Sequence, residues 1–153
     1  MTEHNIQPIS AEIARHLRRK ILRPNLPRET IIYPGDDAED TFHAGAFVYS
    51  VLVGVCTVLR EAQTGVSDCG AWRLRGVAVD PQQRGKGIGR ALIESCITHA
   101  EARGASYVWA NGRSTALPVY TAMGFSVDGD EYVTDTGPHY FVQRVLPKQS
   151  FIK

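Results

Sequence analysis

The chain has 153 residues, 43% of them apolar and 22% charged, which suits one folded domain over residues 1–153 and excludes intrinsic disorder and collagen-like repeats. Lys and Arg total 17 against 16 for Asp and Glu, so the basic excess of a dedicated duplex-DNA binder is missing and no nucleic-acid partner is expected. The start MTEHNIQPIS has no apolar signal core, and no apolar run is long enough for a membrane span, so a cytoplasmic location without a membrane partner is expected.

Residues 4–10 alternate weakly and predict a short strand. Ile13, Leu17 and Ile21 recur every four residues after Ser10, predicting an amphipathic helix over 10–22 with Ser10 as its N-cap. Its opposite face, Arg15, Arg18, Arg19 and Lys20, reads as solvated. Segment 23–41 is rich in Pro and acid and reads as a long loop. Residues 44–62 are β-branched and aromatic, predicting a hairpin broken near Ser50. A strand over 72–81 stops at Asp80-Pro81. Helical spacing of Ile88, Ala91, Leu92, Ser95, Cys96 and Ala100 predicts a helix within 82–104, closed by Gly104 as a left-handed cap. A short strand over 105–111 follows. A helix over 115–123 has Thr115 as its expected N-cap, with Pro118 in the first turn, and Gly124 ends it. Two final strands lie in FSVDGDEYV and HYFVQRVL. The order is β-α-β-β-β-α-β-α-β-β, a mixed α/β domain with a mainly antiparallel sheet and a crossover helix. Cys56, Cys69 and Cys96 show no CxxC or Cys/His ligand spacing, so they read as small apolar residues of a reducing compartment, and no metal is expected.

The most informative stretch is Arg84-Gly85-Lys86-Gly87-Ile88-Gly89-Arg90, between a strand and a helix. Glycines let the backbone curl and approach a bulky anion. The first N–H groups of a helix lack partners and carry the positive end of its dipole, so phosphate is the natural ligand. Arg84, Lys86 and Arg90 add charge there. The alternative is an ordinary helix-entry turn. A Walker loop needs Ser or Thr after Gly-Lys, but Gly87 follows Lys86. The dinucleotide fingerprint fails as well, since the sixth residue is Arg90 counted from Gly85 and Leu92 counted from Gly87. A nucleotide-dependent oxidoreductase is therefore disfavoured.

The pattern Arg84-x-x-Gly87-x-Gly89, after Val77-Ala78-Val79-Asp80-Pro81, resembles the pyrophosphate loop of the GNAT superfamily of N-acetyltransferases. Downstream, Ala116-x-x-x-Tyr120-x-x-x-Gly124-Phe125 is similar to the family's second motif. The resemblance covers about residues 45–146. It implies a sheet of six to seven strands flanked by helices and splayed between the fourth and fifth strands. Acetyl-CoA would be the cosubstrate, with its pyrophosphate on the loop 84–90 and its thioester between strands 72–79 and 105–110. Backbone groups of Val77 and Val79, either side of Ala78, would pair with the pantetheine arm as an added strand, freed by a bulge beside Gly76; plain strand pairing is the alternative. One of the same two N–H groups would stabilise the oxyanion. Many members carry Asn seven residues before the Tyr. Here that position is Arg113, with Asn111 two residues earlier, so either residue could inherit a cofactor contact.

Tyr120 is the implied general acid toward the departing thiolate; a core aromatic on a short helix is the other reading. Candidates for the base are Glu61, His43, Asp40, Glu131 and His139. Histidine has the most suitable unperturbed pKa, and His139 in Gly137-Pro138-His139 resembles a recurring feature of a subgroup. Asp36, Asp37, Glu39 and Asp40 either attract a cationic amine or form a solvated loop. Direct attack by a primary amine, from a small molecule or a peptide, is favoured over an acetyl-cysteine route because Cys96 points into a helix core. A non-catalytic acyl-CoA sensor is the alternative function. Homodimerisation is common among family members.

Overall fold

The computed structural model describes residues 4–22, 33–67 and 70–147. The elements are β1 (Asn5–Pro8), α1 (Ala11–Leu22), β2 (Phe42–Val48), β3 (Val51–Arg60), β4 (Ala71–Val79), α2 (Ile88–Ala102), β5 (Tyr107–Arg113), α3 (Leu117–Ala122), β6 (Ser126–Thr134) and β7 (Gly137–Val145). They form a seven-stranded mixed sheet in the order β1-β2-β3-β4-β5-β7-β6, flanked by helices. No helix among the described residues is long and apolar enough to cross a membrane. Chain contacts divide the molecule into two units, one up to Leu59 together with Leu74–His99, the other Arg60–Arg73 together with Ala100 onward.

In the first unit, α1 starts where its cap places it: the Ile13 N–H donates to Ser10 Oγ at 3.2 Å. β1 pairs antiparallel with β2, and β2 with β3. The β2–β3 connection is the two residues Tyr49 and Ser50, with φ of +50° and +67°. Two left-handed residues give the turn whose twist matches a hairpin. Ile88, Leu92, Ile93, Cys96 and Ile97 of α2 are buried. The helix runs so close to β3 that a Cβ on Gly54 would stand 2.9 Å from Leu92. Leu17, Val55 and Ala78 form a buried cluster with Ile9, Ile21, Leu22 and Leu52 against it.

In the second unit, β5 and β6 each pair antiparallel with β7. β4 and β5 run parallel, and their ladder joins Ala71, Trp72 and Arg73 to Tyr107, Val108 and Trp109. Nine residues of β4 and seven of β5 thus share a ladder of three pairs at their N-terminal ends. The Ala105 N–H donates to the Ala100 carbonyl at 3.0 Å, with Gly104 at φ +80°. The Phe125 N–H does the same to the Tyr120 carbonyl at 3.0 Å, with Gly124 at φ +87°. Both bonds are the six-to-one closure in which glycine takes the left-handed position.

The stretch 82–104 opens on a 3₁₀ turn, Pro81–Gln83, and α2 begins at Ile88, inside the expected loop 84–90. Positive φ at Gly85 and Gly87 takes both glycines out of the right-handed helical region. Two local expectations need correction. Thr115 is not an N-cap, because Ser114–Ala116 forms a 3₁₀ turn. Ala116 holds the cap position with no side-chain bond, and Pro118 does lie in the first turn. The strand expected over 105–111 lies at Tyr107–Arg113, since Ala105 and Ser106 are spent on closing α2 and starting the ladder.

Candidate active site

The glycine-rich loop is anchored at both ends. Asp80 ends β4, its N–H donates to the Val53 carbonyl at 2.8 Å, and its carboxylate accepts from the Gln82 N–H at 2.9 Å. The Ala91 N–H donates to the Gly87 carbonyl at 3.1 Å, so the N–H groups of Ile88, Gly89 and Arg90 precede the first bond of the helix. Gly85 and Gly87 take φ of +78° and +80°, and a Cβ on either would meet nothing within 4 Å. These two glycines serve backbone conformation, and the space beside them is open. Gly89 has ordinary φ, and its Cβ would meet Val79 at 3.8 Å. Arg84, Lys86 and Arg90 are exposed. Lys86 donates to Gln83 at 3.0 Å, and Arg84 Nε donates to the Val79 carbonyl at 3.2 Å. Immediately upstream, Gly76 interrupts β4 at φ +67°. Ala78 is buried, while Val77 and Val79 are half-buried on either side of it.

Tyr120 lies in the second unit and is 5% exposed. Its ring meets Phe125 edge-on at 5.2 Å. A Cβ on Gly112 would stand 2.9 Å from the ring, so the glycine clears space for it. His139 is buried at the β6–β7 hairpin. Its Nδ1 lies 2.8 Å from the Gly137 carbonyl, which can only accept, so in the neutral ring Nδ1 carries the proton and Nε2 the lone pair. Thr136 Oγ1 lies 3.5 Å from Nε2, and the Tyr132 ring stacks at 6.2 Å. The Tyr132 hydroxyl donates to Asn111 Oδ1, and burial pushes its pKa up. Asn111 and Arg113 are both exposed on β5. The structure thus gathers Asn111, Tyr132 and His139 at one end of the β5–β7–β6 ladder. Gly112 faces away from Asn111 by strand alternation, taking Tyr120 to the other side of β5.

Among the other base candidates, Glu61 accepts from Arg73 at 2.7 Å and Glu131 accepts from Ser114 at 2.7 Å. His43 is buried, with both ring nitrogens engaged. Its Nε2–H donates to the Asp36 carbonyl at 2.9 Å, so Nδ1 accepts from the Thr57 hydroxyl at 2.7 Å. Burial lowers its pKa from the ordinary 6.5. His43 is therefore a fixed neutral hydrogen-bonding group.

The surroundings of His43 overturn two further expectations. Arg18, read as part of a solvated basic face, is 0% exposed. Asp36, read as part of an acidic loop, is 3% exposed and grips Arg18 through bonds of 2.8 and 3.3 Å. Arg18 also donates to Thr57 at 2.7 Å, and the Tyr33 N–H donates to Asp36 at 3.2 Å. The Arg18 guanidinium lies 4.1 Å from the centre of the Tyr33 ring. Local patterning gives no signal for such a pair, because its partners come from distant segments. Residues 23–32 of the expected long loop, and Cys69, lie outside the described residues. Cys56 and Cys96 are buried free thiols, with Cys96 Sγ 3.6 Å from the Cys56 carbonyl. Burial pushes the Cys96 thiol well up, which suits a packing role. No cluster of three His, Cys, Asp or Glu stands ready for a metal among the described residues.

Comparison with known proteins bears directly on this assembly. A model of the acetyltransferase (GNAT) domain matches residues 6–140. YitI, an uncharacterized N-acetyltransferase of Bacillus subtilis, is 28% identical over 142 residues, covering 92% of this chain and 95% of that protein. The ribosomal protein bS18-alanine N-acetyltransferase of Escherichia coli is 32% identical over 80 residues, 48% of this chain and 54% of its own. A crystal structure of the ribosomal-protein-S18-alanine N-acetyltransferase from Escherichia coli shares the fold, with a TM-score of 0.74, 18% identity and 97% of each chain covered. A GNAT acetyltransferase from Streptococcus pneumoniae does so at 0.69, with 16% identity and 95% and 100% covered. The glycine loop after β4 and the tyrosine helix after β5 both fall inside the span that the family model matches. On that span the chain belongs to the GNAT family of acetyltransferases.

Proposed function

We propose that the chain is a single-domain cytoplasmic N-acetyltransferase that passes an acetyl group from acetyl-CoA to a primary amine by direct attack. The observation that carries the reading is the loop 84–90. It combines two left-handed glycines facing open space, helix N–H groups ahead of the first helical bond, and three exposed cations. That donor set fits a pyrophosphate. Acetyl-CoA supplies the acetyl group as a thioester.

Within this reading Arg84, Gly85, Lys86, Gly87, Ile88, Gly89 and Arg90 hold the phosphates. The backbone of β4 at Val77 and Val79, loosened at Gly76, takes the pantetheine arm and offers an N–H to the developing oxyanion. Tyr120 gives its phenolic proton to the departing thiolate. An amine attacks only when neutral, and His139 Nε2, with its lone pair fixed by the Nδ1–H bond to Gly137, takes the proton released.

The test is thermal unfolding with acetyl-CoA, with NAD and ATP as controls. At about 100 times its dissociation constant, a ligand stabilises by roughly 2.7 kcal/mol, a shift of several degrees. A shift selective for acetyl-CoA and lost in Gly87→Glu is expected. No shift, or one produced by NAD or ATP, overturns the reading. Thiol release with a panel of amines then separates an enzyme from an acyl-CoA sensor, which binds without turnover.

A further inference from the structure

The second unit contains a cavity of about 370 Å³ lined by Glu61, Gln63, Thr64, Arg73, Trp109 and Asn111. Its walls are built from polar groups held in place. Arg73 Nη1 donates to Glu61 Oε1 at 2.7 Å, with side chains 19% and 31% exposed. The Trp109 indole N–H donates to the Glu61 carbonyl at 2.7 Å, fixing the backbone there. The Arg73 guanidinium lies 4.9 Å from the centre of the Trp109 ring, and Phe141 stacks on that ring at 5.7 Å. Asn111 is fixed by Tyr132, whose hydroxyl occupies Oδ1. That bond orients the Asn111 amide and leaves its N–H groups able to donate.

This cavity is incompletely satisfied. Arg73 Nε is buried without a partner, although a buried guanidinium N–H ordinarily has one. Glu61 Oε2 has no protein partner among the described residues. One positive and one negative group share the wall, each with capacity left over. A purely cationic guest meets Arg73, and a purely anionic guest meets Glu61. A guest carrying both charges a few bonds apart satisfies the two together.

We infer that this cavity recognises a free amino acid, with its carboxylate on Arg73 and Asn111 and its ammonium on Glu61. Within the acetyltransferase reading, that guest is the acceptor. The inference rests on the acetyltransferase reading and names its substrate class.

The test measures thiol release at saturating acetyl-CoA, using the standard α-amino acids, their primary amides and the matching decarboxylated amines. At least one amino acid is expected to turn over with a KM about tenfold or more below that of its amide, the worth of one charge-assisted bond. Arg73→Gln is expected to bring the acid-to-amide ratio of KM toward one, with kcat changing less. Asn111→Leu is expected to move the ratio the same way, and it serves should the Arg73 variant fail to fold. Equal use of acids and amides, no turnover of any amino acid, or variants that shift acids and amides alike would overturn the inference while acetyl-CoA still stabilises the protein. If acetyl-CoA fails to stabilise it, the acetyltransferase reading falls and takes this inference with it.

Discussion

Tyr120 is held so firmly that its hydroxyl can be tested separately from its ring. Phe125 packs on its edge and Gly112 leaves room for its face. In Tyr120→Phe the packing stays and only the hydroxyl is lost. Stability should change by about 1 kcal/mol, while kcat should fall roughly 10²–10⁴-fold if the phenol protonates the thiolate. Chemical denaturation and steady-state kinetics on one preparation read both, and an unchanged kcat assigns Tyr120 to packing alone. The buried pair Arg18–Asp36 makes the opposite kind of prediction. Asp36→Asn leaves a fully buried guanidinium facing a neutral amide. It should cost about 3 kcal/mol or more, and a double replacement of both residues by apolar side chains should recover much of that. Denaturant midpoints for the single and double variants check this, and equal losses would contradict it. Neither burial was legible in the sequence. Arg18 shares a face with Arg15 and Arg19 in the helical pattern, and Asp36 sits in a run of acids. Only the tertiary meeting of α1 with the turn at 33–36 separates them from their neighbours.

At the scale of elements, glycines punctuate the chain for two different reasons, and matched substitutions tell them apart. Gly87 has φ +80° and nothing within 4 Å of a Cβ. Gly87→Ala therefore carries the left-handed backbone cost alone, roughly 1–2 kcal/mol. Gly76 has φ +67°, and its Cβ would meet Arg18 Nε at 2.7 Å and the Tyr33 ring at 3.3 Å. Arg18 is pinned by Asp36 and Thr57 and has no room to withdraw. Gly76→Ala should thus destabilise clearly more than Gly87→Ala, and equal melting shifts would show that the bend in β4 yields freely. Among the described residues the order of helices and strands was legible where boundaries have a local cause: Ser10 caps α1, Asp80-Pro81 stops β4, and Gly104 and Gly124 end helices. The misplaced starts lie just after a turn: a 3₁₀ turn before α3, and the turn that closes α2 before β5. A 3₁₀ turn shares proline and short polar residues with the first turn of an α-helix, so residue types alone do not separate the two. The loop 84–90 was readable because left-handed positions demand glycine. The cavity beside Glu61 and Arg73 was not, because it depends on which side chains the parallel ladder brings into line.

For the molecule as a whole, the His43 network gives stability a defined dependence on pH. One chain of hydrogen bonds ties α1, the turn at Asp36, β2 and β3 through Arg18, Asp36, His43 and Thr57. Both nitrogens of His43 are used in its neutral form. A second ring proton would point at Thr57 Oγ1, which already accepts from Arg18. Burial lowers the His43 pKa from 6.5, more than Asp36 raises it, while Arg18 and Arg15 add to the lowering. The folded state therefore binds fewer protons than the unfolded chain as pH falls below 6.5. The stability tied to neutral His43 is fully present above that value and is lost progressively below it. One such group contributes a slope of at most about 1.4 kcal/mol per pH unit. Urea unfolding from about pH 8 down to about pH 5 should show this slope in the wild type and a flatter one in His43→Gln, whose side chain does not titrate. His43→Gln should also be less stable at the upper end of the range, where the neutral imidazole makes both of its bonds. Parallel pH profiles for the two proteins would transfer the acid sensitivity to other groups and leave His43 as a packing residue only.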